Sequence, residues 1–523
     1  MRNVFPLLLG LVSCTSAALS RDLDSSAPAV SPAARAQSGS ERSGAEQPLS
    51  IAPGELVELP VRSDGSAGAR LATTGGEEFV LVLASTDFRS SQGVFDYGIS
   101  LGKAPAGSSA SYVTGCSLSP ERFASLPVTV DPPAPGKPPA EGTTRKLAIP
   151  TASGHQLVDA RAVSVGSQAV IWLDTTQPSQ LDREFIERFR DDFERVIMPR
   201  SRAVFGTEPD TDGNGRIDLV FSPLTRETGV AFFSACDLLA EHPGCDASNR
   251  GELLYLTPPE AIAPPYNTPN AIKEILTHEV SHLLHFNRKV LRNKLTTWAD
   301  GVYVAEGIGG FAQDVTGFQA GNLYVTKAGL DGIDQVSLSS LLFSDEKQPK
   351  PFDGILRGAG YLFVRYLYDR AGGDVVQAVD VQSRGGPALV RALIDAPKPV
   401  AQALPEVTGA ATADLALDFF SALALSNRTE VGGVAPANAC FSYLATVKDP
   451  VTGKQRGAST FASLHGQRMN GPRIVPLAQA DGKLRQGGVE YLALTASPGE
   501  RELAFSLNVP PAAAARVRLA RVR

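Results

Sequence analysis

The five residues His278-Glu279-Val280-Ser281-His282 constrain this chain more than any other feature. They lie in NAIKEILTHEVSHLLHF, where Ile272, Ile275, Leu276, Leu283, Leu284 and Phe286 take the positions expected of a buried helix. Thr268 and Pro269 supply an N-cap and a first helical residue. Side chains four apart on a helix sit one above the other, so both imidazoles can reach a single ion at about 2.0–2.1 Å. Glu279, beside the first of them, is then placed to take a proton from water at that ion. With six histidines in 523 residues, chance produces this pattern well under roughly 1% of the time. The bland alternative is one hydrogen-bonded core histidine and one surface histidine on the same helix.

A catalytic zinc needs a third protein ligand and an open position. His285 lies seven residues after His278, a further turn along, where one ion would hardly reach all three rings. Glu306 is the better candidate. It stands 24 residues beyond His282 in TTWADGVYVAEGIGGFAQDVTGF, where a second helix can return to the metal. Gly307, Gly309 and Gly310 follow it, and each interior glycine costs a helix on the order of 1 kcal/mol against Ala. Close approach of two helix backbones would justify that cost; a loop with Glu306 on the surface is the alternative.

H-E-x-x-H followed by the W…EG…A-x-D pattern Trp298…Glu306-Gly307…Ala312-Gln313-Asp314 resembles the gluzincin metallopeptidases, most closely the hyicolysin-type family of secreted neutral peptidases. The likeness extends over roughly residues 165–430, from the long helix before FGTEPDTDGNGRIDLVFSPL through NRGELLYLTPP to GAGYLFVRYLYDRAG. It implies His278, His282 and Glu306 as zinc ligands, with Glu279 as general base and later proton donor. It also implies a mixed sheet packed on the zinc-site helix and a helical second lobe. Such peptidases commonly hold the oxyanion with a downstream Tyr or His. Here Arg357 stands where the resemblance leads one to expect a tyrosine, which leaves Tyr361 and His465 as fallback candidates. For the carboxylate that orients a ligand imidazole, the residue one turn after Glu306 is Gly310, and Asp314 is the nearest substitute.

The rest of the chain reads as α+β. MRNVFPLLLGLVSC has an early arginine, an apolar run too short to span a bilayer, and a Leu11-Val12-Ser13-Cys14 ending that resembles a bacterial lipobox. Residues 1–14 are therefore expected to be a lipoprotein-type signal with Cys14 lipidated; cleavage after Ala17 or Ala18 is the alternative. Residues 15–50 suit a disordered tether. A β-sandwich-like domain is expected at 51–130, a Pro-rich linker at 131–150, the peptidase domain at 151–446 and a C-terminal β-domain at 447–523. The signal implies export to the cell envelope, as an outer-membrane lipoprotein, or secretion, with membrane attachment through the lipid anchor. Four further cysteines fit an oxidising compartment: Cys236 and Cys245 bracket a short loop and suit a disulfide, which leaves Cys116 with Cys440. A net charge of −6 gives no footprint for nucleic acid.

Asp210-Thr211-Asp212-Gly213-Asn214-Gly215-Arg216-Ile217-Asp218 matches the first nine positions of an EF-hand loop. Asp210, Asp212, Asn214 and Asp218 would offer hard oxygen ligands to Ca2+, although Phe221 occupies the place of the closing glutamate. The alternative is a plain Asp/Asn/Gly turn leading into a strand. Taken together, the residues point to a zinc peptidase acting on a protein or peptide substrate, with the strand GELLYLT offering its edge to that substrate. An envelope-anchored binding or structural lipoprotein with an inactive peptidase-like domain, and a zinc hydrolase of another amide or ester, are the competing readings.

Overall fold

The two ends of the chain share one β-sandwich. The structure, a computed structural model, describes residues 47–105, 109–124, 126, 136–176, 181–239, 245–295, 300–319, 323–373, 385–477 and 481–523. The signal segment, Cys14 and all but the last residues of the expected tether lie outside them. Strands β1 (Leu56–Leu59), β2 (Ser66–Ala72), β3 (Glu78–Ser85), β4 (Val94–Leu101) and β5 (Ser111–Tyr112) come from the N-terminal side. Strands β16 (Val475–Pro476), β17 (Asp481–Arg485), β18 (Val489–Thr495), β19 (Glu502–Asn508) and β20 (Ala515–Arg521) come from the C-terminal side. They interleave as a six-stranded sheet, β16-β18-β3-β20-β1-β5, over a four-stranded one, β17-β4-β19-β2. The β-segments expected to be separate domains thus pair with each other, Leu56 opposite Ala520 and Val489 opposite Ala84. Alternating polarity reveals that a strand has a buried face but carries no record of its hydrogen-bonding partner.

Period-two geometry sends alternate residues of β3 to opposite faces. Phe79, Leu81 and Leu83 meet Leu71, Ile99, Phe505 and Leu507 in the sandwich core. Val80, Val82 and Ala84 join the large core of the helical body instead. With both faces covered, β3 is apolar from Phe79 to Ala84.

The second half of the expected Pro-rich linker is a strand, β6 (Thr144–Thr151). It edges a central sheet with β7 (Gly154–Val165), β8 (Ala169–Asp174), β9 (Ile217–Phe221), β10 (Ala231–Phe233) and β11 (Leu253–Leu256), in the order β10-β11-β9-β8-β7-β6. Pro150 is tolerated there because an edge strand leaves one row of N–H groups unpaired. The parallel pairs β8–β9 and β9–β11 occupy the middle, where β9 and β11 are buried along their whole length.

Helices α1 (Glu121–Ala124), α2 (Arg183–Asp192), α3 (Met198–Phe205) and α4 (Pro269–Phe286) are followed by α5 (Val302–Val315), α6 (Leu323–Asp331), α7 (Leu338–Phe343), α8 (Phe352–Arg370), α9 (Gly385–Asp395), α10 (Val400–Thr408) and α11 (Thr412–Leu425). Leu219, Phe221, Leu254 and Leu256 of the sheet share a core with α4, α5 and α8. Short hairpins β12 (Val447–Lys448) with β13 (Gln455–Arg456) and β14 (Ser463–Leu464) with β15 (Gln467–Arg468) come after α11. The sandwich docks on α11 through Arg518, whose Nη1 donates to Asp418 at 2.7 Å. Disulfides join Cys116 to Cys440 and Cys236 to Cys245, each with Cα atoms 5.4 Å apart.

Candidate metal centre

Thr268 caps α4 by accepting from the Ala271 amide at 3.2 Å, and Pro269 opens the helix. Every residue from Ile272 to Phe286 is buried, so the helix runs through the core, with His278 keeping a small exposed fraction. His278 and His282 lie one turn apart, with ring centroids 4.7 Å apart and planes at 79°. Helix α5 brings Glu306 to them: its Oε2 lies 3.5 Å from His278 Nε2 and its Oε1 4.0 Å from His282 Nε2. Two ligands each about 2.0–2.1 Å from a tetrahedral ion stand roughly 3.3 Å apart. The His278–Glu306 distance is a few tenths of an ångström beyond that spacing and the His282–Glu306 distance about 0.7 Å beyond it, so small side-chain shifts would bring the three into one coordination sphere.

The glycines after Glu306 make this approach feasible. A Cβ on Gly309 would fall 2.3 Å from His278 Cε1, so the imidazole occupies the space a side chain would take. A Cβ on Gly307 would fall 2.5 Å from the Gly360 carbonyl carbon, which lets the backbones of α5 and α8 touch. Contact with α8 places Arg357 against the site, and its Nη1 donates to Glu306 Oε2. Arg357 Nε also donates to Asp353 Oδ2 at 3.1 Å.

Burial dominates the electrostatics. It pushes His278 down to about 3, helped by the Arg357 charge, and holds His282 well below the usual histidine range. Both rings are neutral at pH 7, the form that ligates metal. Burial pushes Glu279 up to about 8, against the opposing effects of the Phe233 N–H and the Arg357 charge. Glu279 Oε2 accepts from the Phe233 amide at 3.0 Å, so the carboxyl hangs between α4 and β10. A cation beside it would favour its ionised form.

The residues fit a divalent metal by their own chemistry. Among the described residues, Glu306 Oε1 is buried and has no hydrogen-bond donor, a state that costs about 1–3 kcal/mol or more for a charged group unless a cation satisfies it. Donor atoms of His278, Glu279 and His282 all lie within 4.8 Å of one another. Two neutral imidazoles with neighbouring carboxylates are a donor set that could hold a divalent metal ion. No protein-family model matches the chain, and no curated protein does either. The functional reading therefore rests on the chemistry of the site.

Other expected residues are placed elsewhere. His285 Nε2 pairs with Asp300 Oδ2 at 2.7 Å in a fully buried cluster with Lys289, in keeping with its exclusion as a ligand. Asp314 is engaged away from the imidazoles. Its Oδ2 accepts from Arg365 at 2.7 Å and from the Tyr361 hydroxyl at 3.2 Å, and its Oδ1 from the Gly457 amide at 2.8 Å. Tyr361 is buried on that network, and His465 sits in the turn of the β14–β15 hairpin within electrostatic reach of Asp314. Asp314 and Tyr361 thus belong to a network that anchors the 447–468 hairpins to α5 and α8. Arg357 faces the metal centre in their stead.

In the acidic loop the expected ligand set is also revised. Asp218 is fully buried and turned to Trp172 Nε1, at 2.8 Å, and to Arg145. Asn214 is taken up inside the loop, its Nδ2 donating to Asp212 Oδ2 at 2.7 Å and its Oδ1 accepting from the Arg216 amide at 2.5 Å. Glu252, which precedes β11, takes their place beside Asp210 and Asp212. A lone acid ahead of the apolar run LLYL was its only signal in the sequence.

Proposed function

We propose that the chain is a zinc-dependent peptidase, with His278, His282 and Glu306 holding the metal and Glu279 acting as general base. The observation that carries the reading is the convergence of Glu306, with one buried oxygen lacking a donor, on two neutral imidazoles one helical turn apart. Zinc bound there supplies Lewis acidity toward the scissile carbonyl and acidifies the attacking water. Glu279 accepts the proton from that water and passes it to the departing amine nitrogen. The Phe233 amide holds the carboxylate in place for both transfers. Arg357, whose charge is felt at Glu279 and His278, offsets the negative charge that develops on the carbonyl oxygen.

The strand GELLYLT cannot offer an edge to substrate as expected, because β11 lies between β10 and β9. The edge on that side is β10, whose three residues in GVAFFSAC are too few to stand out in the sequence. An extended peptide laid along β10 would pass Glu279, which supports cleavage of unfolded or extended segments.

The competing reading, an envelope-anchored binding protein with an inactive peptidase-like domain, draws on one observation. Of the residues expected to hold the oxyanion, Tyr361 donates to Asp314 and His465 lies in the turn of the β14–β15 hairpin. Metal analysis of the purified chain and cleavage of a quenched peptide library separate the two. The peptidase reading expects about one zinc per chain and cleavage that Glu279→Gln abolishes while zinc is retained. Full zinc occupancy with no cleavage of any peptide would favour the binding protein, and absence of zinc would end the peptidase reading.

A further inference from the structure

We propose that Asp210, Asp212 and Glu252 form a second cation site, selective for Ca2+, that clasps the loop ahead of β9 to the start of β11. A carboxylate oxygen from each residue lies within 4.8 Å of the others. Glu252 carries the argument. It is 1% exposed; its Oε1 accepts from the Thr211 amide at 2.7 Å, which points the carboxylate into the loop between the two aspartates. Its Oε2 is buried and, among the described residues, has no hydrogen-bond donor. A buried carboxylate oxygen without a donor is costly, and here it stands beside two further carboxylates whose repulsion adds to that cost. A cation resolves both.

The loop is built to bring these groups together. Asp210 Oδ1 accepts from the Gly215 amide at 2.9 Å and Asp212 Oδ1 from the Asn214 amide at 3.0 Å, which folds the loop around its own carboxylates. A Cβ on Gly251 would come within 3.2 Å of Asp212 Oδ2, so the chain just before Glu252 passes close to the loop. The ligands span two segments that enter the parallel strands β9 and β11. The ion therefore acts as a staple across the sheet end rather than as an EF-hand, with Asp218 spent on Trp172 and Arg145. An all-oxygen, anionic donor set with room for carbonyl or water ligands suits a hard cation. Ca2+ takes six to eight oxygens in flexible geometry, whereas Mg2+ demands a near-ideal octahedron and keeps its waters, so a cluster of carboxylates from two segments suits Ca2+ better.

The test uses the full zinc-loaded chain freed of adventitious calcium, titrated with CaCl2 and, separately, MgCl2 by calorimetry, with thermal midpoints read alongside. One Ca2+ per chain is expected, with a rise in midpoint. Glu252→Gln and Asp212→Asn should each weaken Ca2+ binding at least about tenfold and leave zinc content unchanged. Asp212 is exposed, so its variant reports even where Glu252→Gln folds poorly. Absence of Ca2+ binding at millimolar concentration, Ca2+ affinity unaltered in both variants, or Mg2+ bound as tightly as Ca2+ would each overturn the assignment.

Discussion

Gly309→Ala sets two effects of opposite sign against each other. In the middle of an exposed helix the change would stabilise by about 1 kcal/mol. At position 309 the new Cβ would stand 2.3 Å from His278 Cε1 and 2.5 Å from both ring nitrogens. A normal carbon–carbon contact is about 3.5 Å, so the imidazole must retreat by roughly 1 Å. Metal–ligand distances tolerate only about ±0.2 Å, so His278 would leave the coordination sphere. Loss of one of three ligands should weaken zinc at least about 100-fold, close to 2.8 kcal/mol. Overpacking would add about 1–3 kcal/mol of instability in the zinc-free protein. Zinc competition against a chromophoric chelator, with far-ultraviolet circular dichroism to confirm the helices, measures both. Gly310→Ala is the control, since its nearest contact would be Tyr361 Cβ at 3.3 Å. Wild-type zinc affinity in Gly309→Ala, with native helicity, would refute the reasoning that ties this glycine to the metal centre.

Further outcomes can be checked by thermal melts. Arg357→Met leaves Glu306 Oε2 without its buried partner, so the zinc-free protein should lose about 3–5 kcal/mol and show a larger zinc-induced rise in midpoint than wild type. An unchanged rise would remove Arg357 from the site. Burial, with the charge of Asp334 next, pushes Glu490 up to about 7 from 4.5. Between those values the unfolded chain has released its proton while the folded protein retains it, so this residue's contribution to stability falls as pH rises through that window. Glu490→Gln should therefore gain midpoint relative to wild type on going from pH 5 to pH 8; a constant difference would contradict the shift.

Helix α4 is legible because its signals are local: a cap at Thr268-Pro269, a 3.6-residue apolar period and two histidines one turn apart. The loop disulfide Cys236–Cys245 was legible for the same reason, and the Glu306 glycines because each breaks a local preference without local compensation. Pairings across long stretches were not. Nothing near Asp218 announces Trp172 and Arg145 as its partners, and nothing near Asp314 announces Arg365 and Gly457. Each was assigned by spacing a role that a distant side chain had already claimed. Arg357 stands out in the sequence as a departure, but its ion pair with Glu306 depends on how α5 and α8 cross, where Gly307 meets Gly360.

The sandwich built from both termini has a consequence for synthesis. Strand β3 lies between β18 and β20 in the sheet, and neither neighbour exists until the helical body that separates them from β3 in sequence has been made. Until then its EFVLVLAS run has two vacant edges, so nascent chains and C-terminal truncations should be the forms most exposed to chaperones, proteases and aggregation.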